Sequence, residues 1–180
     1  MEFSNGVVTL KTIMDEDLEP LWTVAYKNHT LWMQYDAPYF NEQKPSREAF
    51  LHDEGPKRYV NNDKRLAIWF QGRLIGTVNA YFEDGALKKW LEVGILIFDE
   101  SLWGKNIGTQ ALSLWIDAMF KLYPAIQRVG FTTWSANIGM MRLGEKLGMK
   151  QEARIRQVRF YQGKYYDQVK YGILKDEWHQ

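Results

Sequence analysis

Cysteine is missing from all 180 residues, and this one absence excludes a disulfide framework, a thiolate zinc site and a cysteine nucleophile together. Charge imbalance is missing too. Lys and Arg number 23 against 22 Asp and Glu, a formal net charge of +1, so nothing global invites nucleic acid or an anionic membrane. No apolar run approaches the ~20 residues that span a bilayer. The opening MEFSNGVVTLKTIMDEDL lacks the basic-then-apolar order of a secretory signal. Repeats, low-complexity tracts and linkers are also lacking. These absences lead us to expect one soluble domain over 1–180, cytoplasmic, with no membrane or nucleic-acid partner. What is present is core material: 46% of residues are hydrophobic and 15% aromatic, enough to fold without cross-links.

Hydrophobic patterning predicts the order of elements. Residues 7–12 are β-branched and read as a strand. Asp15 starts a helix with apolar Leu18, Leu21, Trp22 and Ala25 at helical spacing. Residues 28–45 break the period with Trp32, Tyr35, Tyr39 and Phe40, and read as a long aromatic loop or a short helix. Ser46 caps a second helix, expected to stop at Gly55-Pro56. Then 66–70 and 74–82 form a hairpin about Gln71-Gly72-Arg73, and 89–98 a third strand. A helix with Ile107, Ala111, Leu114, Ala118 and Leu122 along one side runs to Pro124. Residues 126–134 follow as a strand, 138–147 as a helix stopped by Gly148, and 151–160 with 164–174 as a closing hairpin. The fold class is α+β: a mixed, mainly antiparallel sheet covered by about four helices.

Between the third strand and its helix lies LWGKNIGTQAL, residues 102–112. A helix start offers unpaired N–H groups and partial positive charge to an anion, and glycine lets a ligand approach the backbone. Lys105 adds charge at the rim. The segment is neither a Walker P-loop nor a GxGxxG fingerprint. By itself it is equally a plain glycine turn feeding a helix.

Its surroundings carry a resemblance. Trp90-Leu91-Glu92-Val93-Gly94-Ile95, then 103–111, then Trp134-Ser135-Ala136-Asn137, then Leu143-Gly144-Glu145-Lys146-Leu147-Gly148-Met149 resemble, in that order, the GNAT superfamily of N-acetyltransferases. Within it the chain looks most like the branch of ribosomal-protein N-terminal-alanine acetyltransferases. The resemblance implies a splayed sheet and acetyl-CoA as co-substrate. It implies that the pantetheine arm passes Leu96 and Ile97, entering between the strands ending near Phe98 and Trp134. The pyrophosphate is then implied to lie on the backbone of Trp103, Gly104, Lys105, Asn106, Ile107, Gly108 and Thr109. The family's Gln/Arg-x-x-Gly-x-Gly/Ala pattern departs here at Trp103 and Asn106. Asparagine tolerates left-handed backbone, so Asn106 is expected to keep the turn. No metal is implied, and His29, His52 and His179 have no metal-ligand spacing.

Direct transfer from a thioester needs a neutral amine, a polarised carbonyl and a proton for the departing thiolate, and no enzyme nucleophile. The resemblance makes Glu92 the candidate base, directly or through water, against the bland reading of a paired strand carboxylate. It makes Asn137 a contact of the pantetheine arm, and asparagine there is also a preferred helix cap. The proton donor is missing: Gly144 stands where many relatives have tyrosine and Met140 where the alanine-acetyltransferase branch has serine. Ser135 and Tyr161 are the substitutes at hand. The acceptor is expected to be a primary amine, on a small molecule or a protein N-terminus, held against 31–40 and 157–166. Two other readings stay open. One is a non-catalytic acyl-CoA sensor or scaffold. The other is a nucleic-acid domain using Arg154, Arg156 and Arg159, a run more often the solvated face of a strand. Edge strands leave a homodimer possible.

Overall fold

The computed structural model describes residues 1–178, so His179 lies outside the described residues. Eight strands form one sheet: β1 (Glu2–Ser4), β2 (Val8–Thr12), β3 (Arg65–Phe70), β4 (Arg73–Phe82), β5 (Leu91–Ile97), β6 (Arg128–Trp134), β7 (Lys150–Tyr161) and β8 (Lys164–Leu174), in the order β1-β2-β3-β4-β5-β6-β8-β7. Every pairing is antiparallel except β5 with β6. Both tight hairpins turn on a Gln-Gly pair with positive φ at each residue: Gln71 at 49° and Gly72 at 73°, Gln162 at 48° and Gly163 at 77°. That is the turn whose twist matches the strands it joins.

The helices are α1 (Leu18–Trp22), α2 (Arg47–Ala49), α3 (Gly55–Arg58), α4 (Ile107–Leu122) and α5 (Ile138–Lys146). A π-helical turn, Thr23–Asn28, prolongs α1, and another, Phe50–Glu54, joins α2 to α3. Besides short 3-10 turns, the described residues thus have four helical stretches, and the second does not stop at Gly55-Pro56. The wide turn resets the register, so Pro56 falls in the first turn of α3, where a missing N–H is harmless. Gly55 allows the tight passage, since a Cβ there would lie 2.5 Å from the Phe50 carbonyl oxygen. Strand β1 was not expected from the sequence: it is three residues long and half exposed, too short to show a pattern.

Two cores lie on opposite faces of the sheet. On one face, α4 buries Ile107, Ala111, Leu112, Trp115, Ile116 and Met119 against β2–β6. The buried side of α4 is centred on Trp115, whose indole N–H donates to the Asn79 carbonyl at 3.0 Å. Leu122, expected on that side, is exposed. On the other face, α1 and the α2–α3 stretch bury Leu21, Tyr26, Phe50 and Tyr59 against Ala67 and Leu74. No helix of the described residues is long and apolar enough to cross a membrane.

Candidate active site

The site begins where the sheet comes apart. β5 and β6 pair at only two positions, Leu91 with Val129 and Glu92 with Gly130. Beyond Glu92 the strands diverge. Residues 91–93 of β5 are buried, and the four that follow are half-buried. Beyond Glu92 the gap side of β5 has no strand to pair with, a standing offer to an extended amide-bearing ligand; the Leu96 carbonyl instead lies against Gly76 of β4, and the Ile97 carbonyl is taken by the Trp103 indole.

At the wide end, β5 leads through Asp99 into a turn where Gly104 (φ 72°) and Asn106 (φ 64°) are both left-handed. Asn106 therefore adopts the conformation its residue type allows. It is the N-cap residue of α4, and no side chain caps that helix. The N–H groups of Ile107, Gly108 and Thr109 accordingly point out of a 16-residue helix unpaired, with its positive dipole end behind them. Lys105 stands exposed beside them. Trp103 folds back, its indole N–H donating to the Ile97 carbonyl at 2.9 Å. Its ring meets Tyr35 edge-on at 5.6 Å. The Tyr35 carbonyl accepts from the Trp134 indole across the gap at 2.8 Å. The aromatic loop thus bridges the mouth of the cleft from β5 to β6. Trp134 also packs against Tyr39, Tyr161 and Tyr166.

An acetyltransferase (GNAT) domain family matches residues 8–150. The chain belongs to the GNAT family. Among curated proteins it is similar to the SPbeta prophage-derived uncharacterized N-acetyltransferase YokL of Bacillus subtilis (strain 168), 35% identical over 74 residues. That match spans 41% of this chain and 41% of that relative, less than half the relative's length. Solved structures repeat the fold over nearly the whole chain. RimL, a ribosomal L7/L12 alpha-N-protein acetyltransferase in complex with coenzyme A, superposes with a TM-score of 0.78 at 19% identity, covering 98% of this chain and 99% of that one. A GNAT-family acetyltransferase from Bacillus anthracis gives 0.78 at 18%, covering 98% and 100%. At such identities the likeness shows the fold, and that fold is the mixed sheet expected from the sequence.

Within this GNAT frame the named residues separate. Glu92 sits at the apex of the cleft with no exposed surface. Its Oε1 accepts from the Trp90 indole and from Arg128 Nη1, both at 3.0 Å. Its Oε2 accepts from the Thr132 hydroxyl at 3.1 Å, and that hydroxyl accepts from Lys170 at 2.7 Å. Arg128 also binds Glu152 through Nε and Nη2, the latter at 2.6 Å, and the Tyr171 carbonyl at 3.3 Å. Burial alone would depress the Arg128 guanidinium, but the hydrogen bonds to Glu152 and Glu92 outweigh it and hold its pKa above the ordinary value. Both oxygens of Glu92 are thus paired and none of its surface is exposed. Arg128 went unnoticed in the sequence, although the alternation Arg128, Thr132, Trp134 on one face of β6 was a usable signal.

Asn137 caps α5, its Oδ1 accepting from the Met140 N–H at 3.2 Å, which leaves the amide N–H₂ free. Gly144 leaves no room for a side chain. It is buried, and a Cβ there would lie 2.7 Å from the Phe131 ring, which stacks on Tyr171. Ser135 and Tyr161 both lie beside Trp134. Ser135 Oγ accepts from the Asp167 N–H at 2.9 Å and keeps its own proton to donate.

His29, distant in sequence, meets the start of the turn that leads into α4. Its Nδ1 is 2.9 Å from Glu100 Oε2 and 3.9 Å from Asp99 Oδ1. These three are the one group among the described residues whose side chains converge as metal ligands would. Asp99 already accepts from the Ser101 N–H and hydroxyl, at 3.0 and 2.6 Å.

Proposed function

We propose that this chain is an acetyl-CoA-dependent N-acetyltransferase that moves the acetyl group directly to a primary amine while both substrates are bound. The observation that carries this reading is the parting of β5 from β6, with an uncapped, left-handed turn at its open end. The free strand edge suits the amides of the pantetheine arm. The N–H groups of Ile107, Gly108 and Thr109, with Trp103, Gly104, Lys105 and Asn106 shaping the turn, suit the pyrophosphate. The free Asn137 amide suits the arm between them.

The amine nitrogen attacks the thioester carbonyl, the C–N bond forms, and the C–S bond breaks. Glu92 serves this reaction by fixing the apex of the cleft through Arg128 and Thr132. With neither Gly144 nor Met140 able to give a proton, the departing thiolate takes one from water, Ser135 or Tyr161, the two hydroxyls beside Trp134.

Purified protein incubated with acetyl-CoA and a panel of primary amines is expected to release free thiol in an amine-dependent manner. Coenzyme binding without such release, across small amines and peptides, would replace this reading with that of an acyl-CoA sensor.

A further inference from the structure

Two charged side chains on the side of the sheet away from α4, Arg65 and Asp36, have no ion pair or side-chain hydrogen bond among the described residues, and their charges act on each other. Arg65 starts β3. Strand register places it opposite Asn79 on β4, and Asn79 opposite Gly94 on β5. A Cβ on Gly94 would lie 2.5 Å from Asn79 Oδ1, so this lateral row lies on the face that Glu92 shares, away from α4. The row leads from Arg65 straight to the strand edge where β5 leaves β6. The Arg65 guanidinium rests on the Tyr59 ring at 5.0 Å, with Arg58 5.7 Å from the same ring. Stacking holds it in place, and its N–H fork remains unused.

Asp36 is the second group. It follows Tyr35, whose carbonyl is tied to Trp134, and precedes Ala37, which is held left-handed at φ 46°. Alanine pays roughly 1–2 kcal/mol for that conformation, a strain that fixes the course of the loop here. Tyr39 then packs on Trp134 at 5.3 Å, so Asp36 is pinned between two anchored aromatics. Water reaches its side chain, yet the cleft walls desolvate it and raise its carboxyl above the usual range. It interacts electrostatically with Arg58, Arg65 and Tyr39, and with Glu42, which adds a second negative charge. Asp36 and Arg65 influence each other's charge without closing to the 4.0 Å of an ion pair. Opposite charges that act on each other without pairing suit a molecule carrying both signs. A third cation, Arg159, lies over Tyr39 at 4.6 Å with its Nε buried and unbonded.

We infer that the acceptor is a small amino acid, its ammonium received and deprotonated by Asp36 and its carboxylate received by Arg65. This rests on the acetyltransferase reading and names its substrate class. The Asp36 carboxylate takes one proton from the ammonium. The neutral nitrogen bonds to the acetyl carbon and the C–S bond breaks. The thiolate is protonated through water or a hydroxyl beside Trp134, which is made good by the proton that the nitrogen sheds on becoming an amide, and Asp36 returns its proton to solvent. Polyamines fit poorly, because further positive charge would fall beside Arg58, Arg65 and Arg159. A peptide N-terminus offers only a carbonyl where Arg65 calls for an anion.

The test pairs each of a set of α-amino acids with its decarboxylated amine and its methyl ester, and adds spermidine and a tripeptide. Thiol release gives the kinetics, and calorimetry gives binding with and without coenzyme A. At least one amino acid is expected to bind and to be acetylated with kcat/KM about tenfold or more above its amine and ester, the worth of one charged contact. Arg65→Gln should raise KM for that amino acid about tenfold and leave its amine unaffected. Asp36→Asn should lower kcat about 100-fold or more for both, at unchanged coenzyme affinity. Equal or better use of the amine, ester, spermidine or tripeptide would overturn the inference. So would Arg65→Gln slowing amino acid and amine alike, or no amino acid binding. Failure of the protein to bind coenzyme would bring down the acetyltransferase reading instead, and calorimetry without coenzyme would still decide the acceptor.

Discussion

The two ends of the cleft treat a carboxylate in opposite ways. At the apex, Glu92 is sealed from water and every oxygen has a donor. At the mouth, Asp36 is open to water and no side chain answers it. The apex is built to stay as it is. Arg128 lies over Gly130 and its partner Glu152 over Gly172, two glycines that face each other on β6 and β8. A Cβ on Gly130 would lie 2.2 Å from Arg128 Nη2, and one on Gly172 2.2 Å from Glu152 Oε1. Four strands are thus tied by side chains where β5 and β6 have only two residue pairs. A satisfied buried charge holds geometry, and an unsatisfied accessible one meets ligands. Residue type alone does not distinguish them.

Breaking the apex should cost most. Arg128→Ala leaves Glu92 buried without its cation and is expected to lower stability by about 3–5 kcal/mol, read from urea unfolding. Glu92→Gln, which keeps the size, is expected to cost less and to leave turnover of the folded protein within about threefold; a fall near the ~10²-fold of a lost general base would restore Glu92 as the proton acceptor. Gly130→Ala should cost about 1–3 kcal/mol by crowding the pinned guanidinium, and much less in an Arg128→Ala background, because the two effects share one cause. Asp36→Asn should change stability least, within about 0.5 kcal/mol. Its sign follows from the raised carboxyl. The protonated form is favoured in the fold, so the stability Asp36 contributes is complete below the ordinary value of 3.8 and is lost as pH rises through the raised one. The asparagine variant should therefore match the parent in acid and equal or slightly exceed it at neutral pH, by thermal unfolding.

Much of the fold was legible because its elements are locally coded. β3, β4, β8 and α5 fall where period and turn residues put them, and Asn106 shows how a side chain's conformational tolerance can be read directly. The α2–α3 stretch was misjudged because Gly-Pro stops a regular helix but not one reset by a π turn. Tertiary pairing lay beyond the sequence. Glu92 reads as an isolated acid on a strand until Arg128, 36 residues on, is brought to 3.0 Å. His29 and Glu100 are 71 residues apart and meet at 2.9 Å. Asp36 has no motif at all; its character comes from Arg65, Tyr39 and Trp134, which only the folded loop assembles.

The anion turn before α4 also bears on how this protein can be interrogated and how it can drift. Its donors are peptide groups, which all non-proline residues share. An alanine scan from 103 to 109 would report on packing and on the rim, and would pass over the contact itself. Trp103 and Asn106 could therefore replace the family's usual residues without removing a single donor. Only exchanges that alter the main chain, such as proline or an ester in place of the amide at 108 or 109, reach the donors proposed to hold the pyrophosphate.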